Sequence, residues 1–135
     1  MMQILQPPGW ARAKGFSNGI AASGRLVFIA GQVGWTGVGK WQARDFAGQF
    51  RQALANIIAV LQEAKGRPEH IVRLTWYVLD KREYLAALKE VGAAYRELMG
   101  RHYPTMAVVQ VSGLVEDEAR LEIEATAVIP DERAP

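Results

Sequence analysis

The sequence predicts an α+β domain: a mostly antiparallel sheet with two helices on one face. Residues 120–128 alternate strictly between polar and apolar side chains, as a strand with one buried face does. Residues 45–65 instead repeat apolar side chains every three or four positions, which is typical of an amphipathic helix. With the remaining segments the predicted order is ββ-α-β-α-ββ, and the 135 residues are assigned to a single domain, residues 1–135.

The first half of the chain begins with a predicted N-terminal arm, residues 1–14. Two short apolar segments, residues 16–21 and 25–30, flank a Ser-Gly turn signal and predict a β-hairpin. The glycine-rich loop that follows lacks a Gly-Lys-Ser/Thr motif, so a flexible connection is predicted rather than a phosphate site. Asp45 is the predicted N-cap of the first helix, and Gln49 is expected on its solvated side.

The second half contains a predicted strand at residues 71–79 and a helix that begins after Asp80 and ends at Gly100. Residues 106–111 are apolar on both faces, which indicates a strand covered on both sides. A turn at residues 115–118 is predicted to join this strand to residues 120–128, making the two strands neighbours. The end of the chain, residues 130–135, is predicted to be a frayed tail.

Composition excludes several classes of site. The chain has no cysteine, so disulfides, thiolate zinc sites and a cysteine nucleophile are excluded. Its two histidines stand alone in predicted loops, and no metal site is predicted. A net charge of +2 with interleaved signs gives little support for a nucleic-acid partner. No apolar run approaches the roughly 20 residues of a membrane helix, and no secretory signal is recognisable, so a cytoplasmic location without a membrane partner is expected.

The predicted sheet has one face that the two helices cannot cover. Strand 71–79 would present Arg73, Thr75 and Tyr77 among apolar neighbours on that face. Strand 106–111 is apolar on both faces. A bare face of this composition predicts contact with further copies of the chain, and therefore a homo-oligomer.

Five segments together resemble the YjgF-like reactive-intermediate deaminase (Rid) family. They are LVFIAGQVG at 26–34, QFRQALANIIAVLQEAKG at 49–66, IVRLTWYVLD at 71–80, YPTMAVVQVSGL at 103–114 and LEIEATAV at 121–128. The resemblance implies a chorismate-mutase-like fold and a homotrimer, with the sheets forming an inner barrel and clefts between subunits. In deaminating members those clefts hydrolyse enamines and imines, such as 2-aminoacrylate, to keto acids and ammonia. No metal or organic cofactor is implied.

Carried over residue by residue, the resemblance assigns a ligand-binding cleft whose one catalytic candidate is Glu122, the family's water-positioning or water-activating glutamate. The sequence departs from the family at most other cleft positions. Met106 stands where deaminating members carry the arginine that binds the substrate carboxylate, and methionine offers only an apolar surface. The remaining cleft residues are Phe16 for a tyrosine, Ala30 for a serine, Gly31, Gly92 for an asparagine and Val108 for a small residue, often cysteine.

Three functions are compatible with this sequence. The first is a Rid-type homotrimer that binds a small metabolite in clefts between subunits and hydrolyses an enamine or imine other than the usual carboxylate-anchored substrate. The second is an active 2-imino acid deaminase that anchors carboxylates with another group. The third is a non-catalytic module that binds a ligand, RNA or a protein. A structural reading of Glu122 also stays open, in which it pairs with Arg73 or Arg120.

Overall fold

The computed structural model describes residues 2–131 and has α+β architecture with two main helices. The first helix, α1 (Phe46–Glu63), is long and continuous, whereas the second predicted helix is divided at Ala87 into a short and a longer part. A 3-10 turn at Pro68–His70 precedes the fourth strand. The strands are β1 (Met2–Leu5), β2 (Gly19–Ala22), β3 (Arg25–Val33), β4 (Ile71–Val78), β5 (Thr105–Gln110) and β6 (Leu121–Ile129), and the helices are α1 (Phe46–Glu63), α2 (Lys81–Ala86) and α3 (Leu88–Met99).

The main sheet has four strands in the order β3-β6-β4-β5. Strand β6 pairs antiparallel with β3 and β4, whereas β4 and β5 run parallel. The prediction that the last two strands are neighbours is therefore wrong, because β4 lies between them. The connection at residues 111–120 is longer than a tight turn, and it lets the chain pass the end of β4 before β6 begins.

The predicted hairpin between the second and third strands is also absent from the described part of the chain. Strand β2 pairs with β1 in a separate two-stranded sheet, from Met2 opposite Ala22 to Leu5 opposite Gly19. The segment predicted as an arm therefore contributes a strand. At Gly24, where φ is +147°, a Cβ would lie 2.2 Å from the carbonyl oxygen of Ile129. The chain passes directly against the end of β6 there, and β3 takes β6 as its partner.

The hydrophobic core lies between the helices and one face of the main sheet. Leu121, Ile123, Ala125 and Ala127 of β6 are all buried, as their alternation predicts. Helix α1 packs on β3 and β6, and α3 packs on α1. A register shift between Ile71 and Arg73 turns Ile71 towards the core together with Leu74, which the strict alternation predicted for strand 71–79 does not anticipate.

Side chains cap both helical segments at their starts. The Asp45 carboxylate accepts from the backbone N–H of Gly48 at 3.1 Å, and that of Asp80 accepts from Arg82 at 2.9 Å. Helix α3 ends at Gly100, whose φ is +67°. Lys65 adopts the left-handed conformation after α1 with φ of 63°, although a glycine follows it. The helix boundaries predicted from the sequence thus agree with those of the structure to within one or two residues.

Gln49 is buried, with 1% of its surface exposed, so the prediction that it faces solvent is wrong. Its amide nitrogen donates to the carbonyls of Ala43 and Glu118, and its amide oxygen accepts from the backbone N–H of Arg120 at 2.7 Å. Gly34 packs against it so closely that a Cβ would lie 2.6 Å from the Gln49 Cβ. Gln49 therefore joins helix α1 to the chain entering β6.

The second face of the sheet is bare in a single chain. Phe28 on β3 and Val109 on β5 are 74% and 43% exposed. Of the predicted tail, residues 132–135 lie outside the described residues. None of the helices in the described range is long and apolar enough to cross a membrane.

Candidate functional site

Met106 and Val108 lie on the helix side of β5. Their parallel partners on β4 are Leu74 and Trp76, which are both buried under the helices. A cavity of about 220 Å³ opens where this edge of the sheet meets α3, and Met106, Val108 and Gly92 all line it. Three of the seven predicted cleft residues are therefore brought together by one chain.

Aromatic rings form much of the wall of this cavity. Trp76 stacks on Phe50 with centroids 4.7 Å apart and meets Tyr84 edge-on at 5.9 Å. Tyr95 and Tyr103 stack nearly parallel on the other side, 5.3 Å apart. Burial raises the pKa of Tyr95, and its hydroxyl donates to the carbonyl of His102 at 2.5 Å, so this ring is neutral and fixed. The cavity therefore has rigid and largely apolar walls.

Two residues that line this cavity have side-chain donors without a protein partner among residues 2–131: the buried Trp76 and the exposed Arg96. Trp76 is 4% exposed, yet its indole Nε1–H has no hydrogen-bond acceptor. Arg96 lines the same cavity, and no carboxylate within residues 2–131 lies within salt-bridge distance of its guanidinium. Buried donors are nearly always satisfied in native proteins, so the Trp76 indole N–H is an exception among the described residues.

Glu122 lies on the opposite, bare face of the sheet. It is directly opposite Tyr77 on β4 and points away from the helices. Its carboxylate forms no ion pair with Arg73 or Arg120. Nη1 of Arg120 instead lies 3.5 Å from Oε2 of Glu83. The structural reading of Glu122 as a member of an intramolecular pair is therefore not supported by the described contacts.

The bulge that contains Ala30 and Gly31 accommodates Glu122. The pairing of β3 with β6 shifts register between Ile29 and Gln32, which leaves Ala30 and Gly31 out of the regular ladder. A Cβ at Gly31 would lie 2.0 Å from Oε2 of Glu122. A side chain at position 31 would therefore displace the carboxylate, so Gly31 and Glu122 belong to one local arrangement.

A second carboxylate on this face is engaged. The Tyr77 hydroxyl donates to Glu124, and that hydrogen bond is the main cause of the raised pKa of Tyr77. Glu124 is therefore held by a neighbour on β4, whereas the Glu122 carboxylate has no hydrogen-bond or ion-pair partner among residues 2–131.

Phe16 lies near Gly92, Met106 and Val108 but does not line their cavity. It is 41% exposed and lines a larger neighbouring cavity of about 600 Å³, together with Tyr103. The backbone N–H of Ser17 donates to the Pro104 carbonyl at 3.1 Å, which holds this segment beside the start of β5. Tyr103 and the adjacent Gly15 also line the Met106 cavity, so the two cavities adjoin.

Within one chain, the predicted cleft residues thus form two separate groups. Gly92, Met106 and Val108 lie on the helix side, and Ala30, Gly31 and Glu122 belong to the bulged region whose carboxylate points to the bare face. A four-stranded sheet separates them, so one chain alone cannot bring both groups to one small molecule.

The histidines take structural positions. His70 Nδ1 accepts from the backbone N–H of Arg67 at 3.0 Å, and desolvation lowers the pKa of this imidazole. His102 Nε2 lies 2.6 Å from the Ile71 carbonyl. Within residues 2–131, no three His, Asp or Glu side chains come together as a possible metal site.

Sequence reasoning missed Trp76 and Arg96 as site residues. Arg96 follows Gly92 by four positions, so both lie on one face of α3. That spacing was a usable signal. What the sequence did not show is that this face of the helix meets the edge of β5.

A family model described as Endoribonuclease L-PSP matches residues 9–129. The chain is 35% identical over 113 residues to a RutC family protein of Pyrococcus horikoshii, covering 83% of this chain and 85% of that protein. It is 31% identical over 108 residues to a 2-iminobutanoate/2-iminopropanoate deaminase of Salmonella typhimurium, covering 78% and 80%.

Solved structures agree with these matches. A Yersinia pestis protein of unknown function, YyfB of the Rid family, superposes with a TM-score of 0.84 at 31% identity, over 95% of this chain and 98% of that one. The Escherichia coli YjgF gene product gives 0.65 at 31% identity, over 80% and 84%. The fold and these matches define a Rid-type α+β domain. The chain belongs to the YjgF-like Rid family, the family of the L-PSP model.

Proposed function

We propose that this chain acts as a homotrimer that binds a small metabolite in clefts shared by neighbouring subunits and hydrolyses an imine or enamine there. The observation that carries the proposal is the separation of the site residues onto two faces of the sheet. A cleft formed by the helix-side edge of one subunit and the bare face of the next would bring Met106 and Glu122 to one ligand.

The bare face supports this assembly. It exposes Phe28 and Val109 beside Tyr77 and the two carboxylates of β6. Apolar side chains next to a held Tyr77–Glu124 pair are typical of an interface core with satisfied polar groups. Three such sheets facing one another would form an inner barrel with the helices outside.

The proposed chemistry needs few groups. Water adds to the carbon of the C=N bond while Glu122 accepts a proton from it, and collapse of the resulting amino alcohol forms the C=O bond and releases ammonia. One imine and one water thus give one carbonyl compound and one ammonia, with no change in oxidation state. Within residues 2–131 the Glu122 carboxylate has no hydrogen-bond or ion-pair partner, which leaves it available as the base.

The substrate is proposed to differ from the smallest imino acids. Met106 cannot form the two parallel charge-assisted hydrogen bonds that an arginine offers to a carboxylate. The cavity beside it is walled by aromatic rings, so a small polar imine would leave those walls without contacts. A substrate with a larger apolar group suits this cavity better.

Hydrolysis of 2-imino acids made in situ by an amino-acid oxidase tests the proposal. Wild-type protein should accelerate loss of the imine made from leucine, and Glu122→Gln should lower that acceleration by about 100-fold or more. Glu116→Gln, which removes a carboxylate from the loop before β6, is the matched control and should retain activity. Equal activity in wild type and Glu122→Gln, with the assembly intact, would contradict the assigned role of Glu122.

A further inference from the structure

The cavity between α3 and β5 is lined by the exposed Arg96, and no carboxylate within residues 2–131 lies within salt-bridge distance of its guanidinium. Arg96 lies one helical turn beyond Gly92, and its Nη1 would be 3.3 Å from a Cβ at position 92. A side chain at position 92 would therefore press on the guanidinium and shift it slightly. A cation is present in the cavity where Met106 supplies none.

A second residue that lines the cavity is Trp76. Trp76 is buried, and its Nε1–H is one of two buried side-chain polar atoms without a partner among the described residues. Its ring stacks on Phe50 and meets Tyr84 edge-on, while the Nε1 atom itself has almost no accessible surface. The indole therefore offers the cavity a fixed aromatic wall.

We propose that Arg96 and Trp76 together bind a small 2-oxo or 2-imino acid that carries a bulky apolar side chain. The guanidinium binds the carboxylate, and the apolar group packs on the aromatic and aliphatic walls, which include the indole of Trp76. Arg96 thus supplies from helix α3 the anion anchor that position 106 lacks. The cavity of about 220 Å³ has room for such a ligand, and pyruvate would leave much of it empty.

A structural role for Arg96 makes a different prediction. Arg96 is in the last turn of α3, where any positive charge interacts favourably with the helix dipole. A lysine at this position would interact with the helix dipole equally well. It lacks the planar fork that binds both oxygens of a carboxylate, so Arg96→Lys separates the two roles.

The test uses 4-methyl-2-oxopentanoate and 4-methylpentan-2-one, which differ only in a carboxylate replaced by a methyl group. Binding to the full-length protein is followed by the NMR shifts of the tryptophan indole N–H signals, with Trp76→Phe identifying the signal of Trp76. The acid should shift that signal and bind at least about tenfold more tightly than the ketone. Pyruvate should bind more weakly than the larger acid.

Arg96→Gln should remove the preference for the acid and leave ketone binding unchanged. Lys89→Gln, which removes one exposed charge from the same helix, should keep the preference. Arg96→Lys should keep thermal stability and lose most of the preference, whereas Trp76→Phe should weaken both ligands by roughly three- to tenfold. The assignment of Arg96 is overturned if neither ligand shifts the Trp76 signal. It is also overturned if Arg96→Gln and Lys89→Gln show the same preference for the acid over the ketone.

The use of this ligand in catalysis rests on the proposed function, whereas its binding does not. Arg96-dependent binding without any imine hydrolysis would support the anchor and contradict the proposed hydrolysis. Hydrolysis that depends on Glu122 but is unchanged in Arg96→Gln would support the proposed function and overturn the anchor.

Discussion

Met106 and Glu122 point to opposite faces of the same sheet, on strands that β4 separates. Met106 is beside Leu74 and under the helices, whereas Glu122 is beside Tyr77 on the bare face. This relationship makes any site that uses both residues a site between two chains. It also links the assembly of the protein directly to its proposed chemistry.

The first prediction concerns that assembly. Light scattering should report a mass of three chains at micromolar concentration, because the bare face exposes Phe28 and Val109. Phe28→Lys should weaken the trimer by placing charge in the interface. Leu85→Lys, on the exposed side of α2, is the control and should leave the mass unchanged. A stable monomer of the wild type would remove both the trimer and its clefts.

Met106→Arg should create a second anion site in the cavity. Its guanidinium should raise the affinity for pyruvate by about tenfold or more, measured by calorimetry. Val115→Arg adds the same charge in an exposed loop and should leave the affinity for pyruvate unchanged. In the Met106→Arg background, Glu122→Gln should reduce any new hydrolysis without abolishing binding. No pyruvate binding by an intact Met106→Arg trimer would show that position 106 does not face an anion.

Gln49→Leu should lower the free energy of unfolding by about 3 kcal/mol, because the Arg120 N–H and two carbonyls lose their partner in a buried place. Gln62→Leu, on the exposed side of the same helix, is the matched control and should change it by less than about 0.5 kcal/mol. Urea unfolding measures both. Equal effects of the two substitutions would contradict the structural role of Gln49.

Tyr77 should ionise above the ordinary tyrosine pKa of 10.0, because Glu124 accepts its proton in a hydrogen bond. The difference in ultraviolet absorbance between wild type and Tyr77→Phe during an alkaline titration isolates this group. Glu124→Gln should lower the Tyr77 pKa. The raised pKa means that the hydrogen bond stabilises the fold fully below pH 10 and is lost as the pH rises through the folded-state value. A Tyr77 pKa at or below the ordinary value would contradict this pairing.

Elements with long periodic patterns were predictable from sequence, and strand partners were not. The alternation around Ile123 defines a strand and its buried face, and Asp45 marks the start of α1. Neither pattern contains information about which strand lies alongside, so β4 between β5 and β6 was missed. Gln49 was missed because its amide is satisfied by backbone groups far away in sequence.

The candidate site, like the fold, could be predicted only in part from the sequence. Residue types indicated what Met106 had lost, because an apolar side chain cannot bind a carboxylate. Arg96 and Trp76 became candidates only once α3, β4 and β5 were placed around one cavity. Their relevance depends on unpaired donors, and a missing partner cannot be recognised before the contacts are known.

Mixed trimers test the shared cleft most directly. Glu122→Gln removes the proposed base from one face, and Val108→Trp fills the cavity on the other, so each variant alone should hydrolyse the leucine-derived imine poorly. If each site takes one face from each of two neighbouring subunits, random mixing of equal amounts should leave about a quarter of the sites with both faces intact. The mixture should then regain roughly that fraction of wild-type activity. A mixture no more active than its two parents, beside an active wild type, would contradict a site shared between subunits.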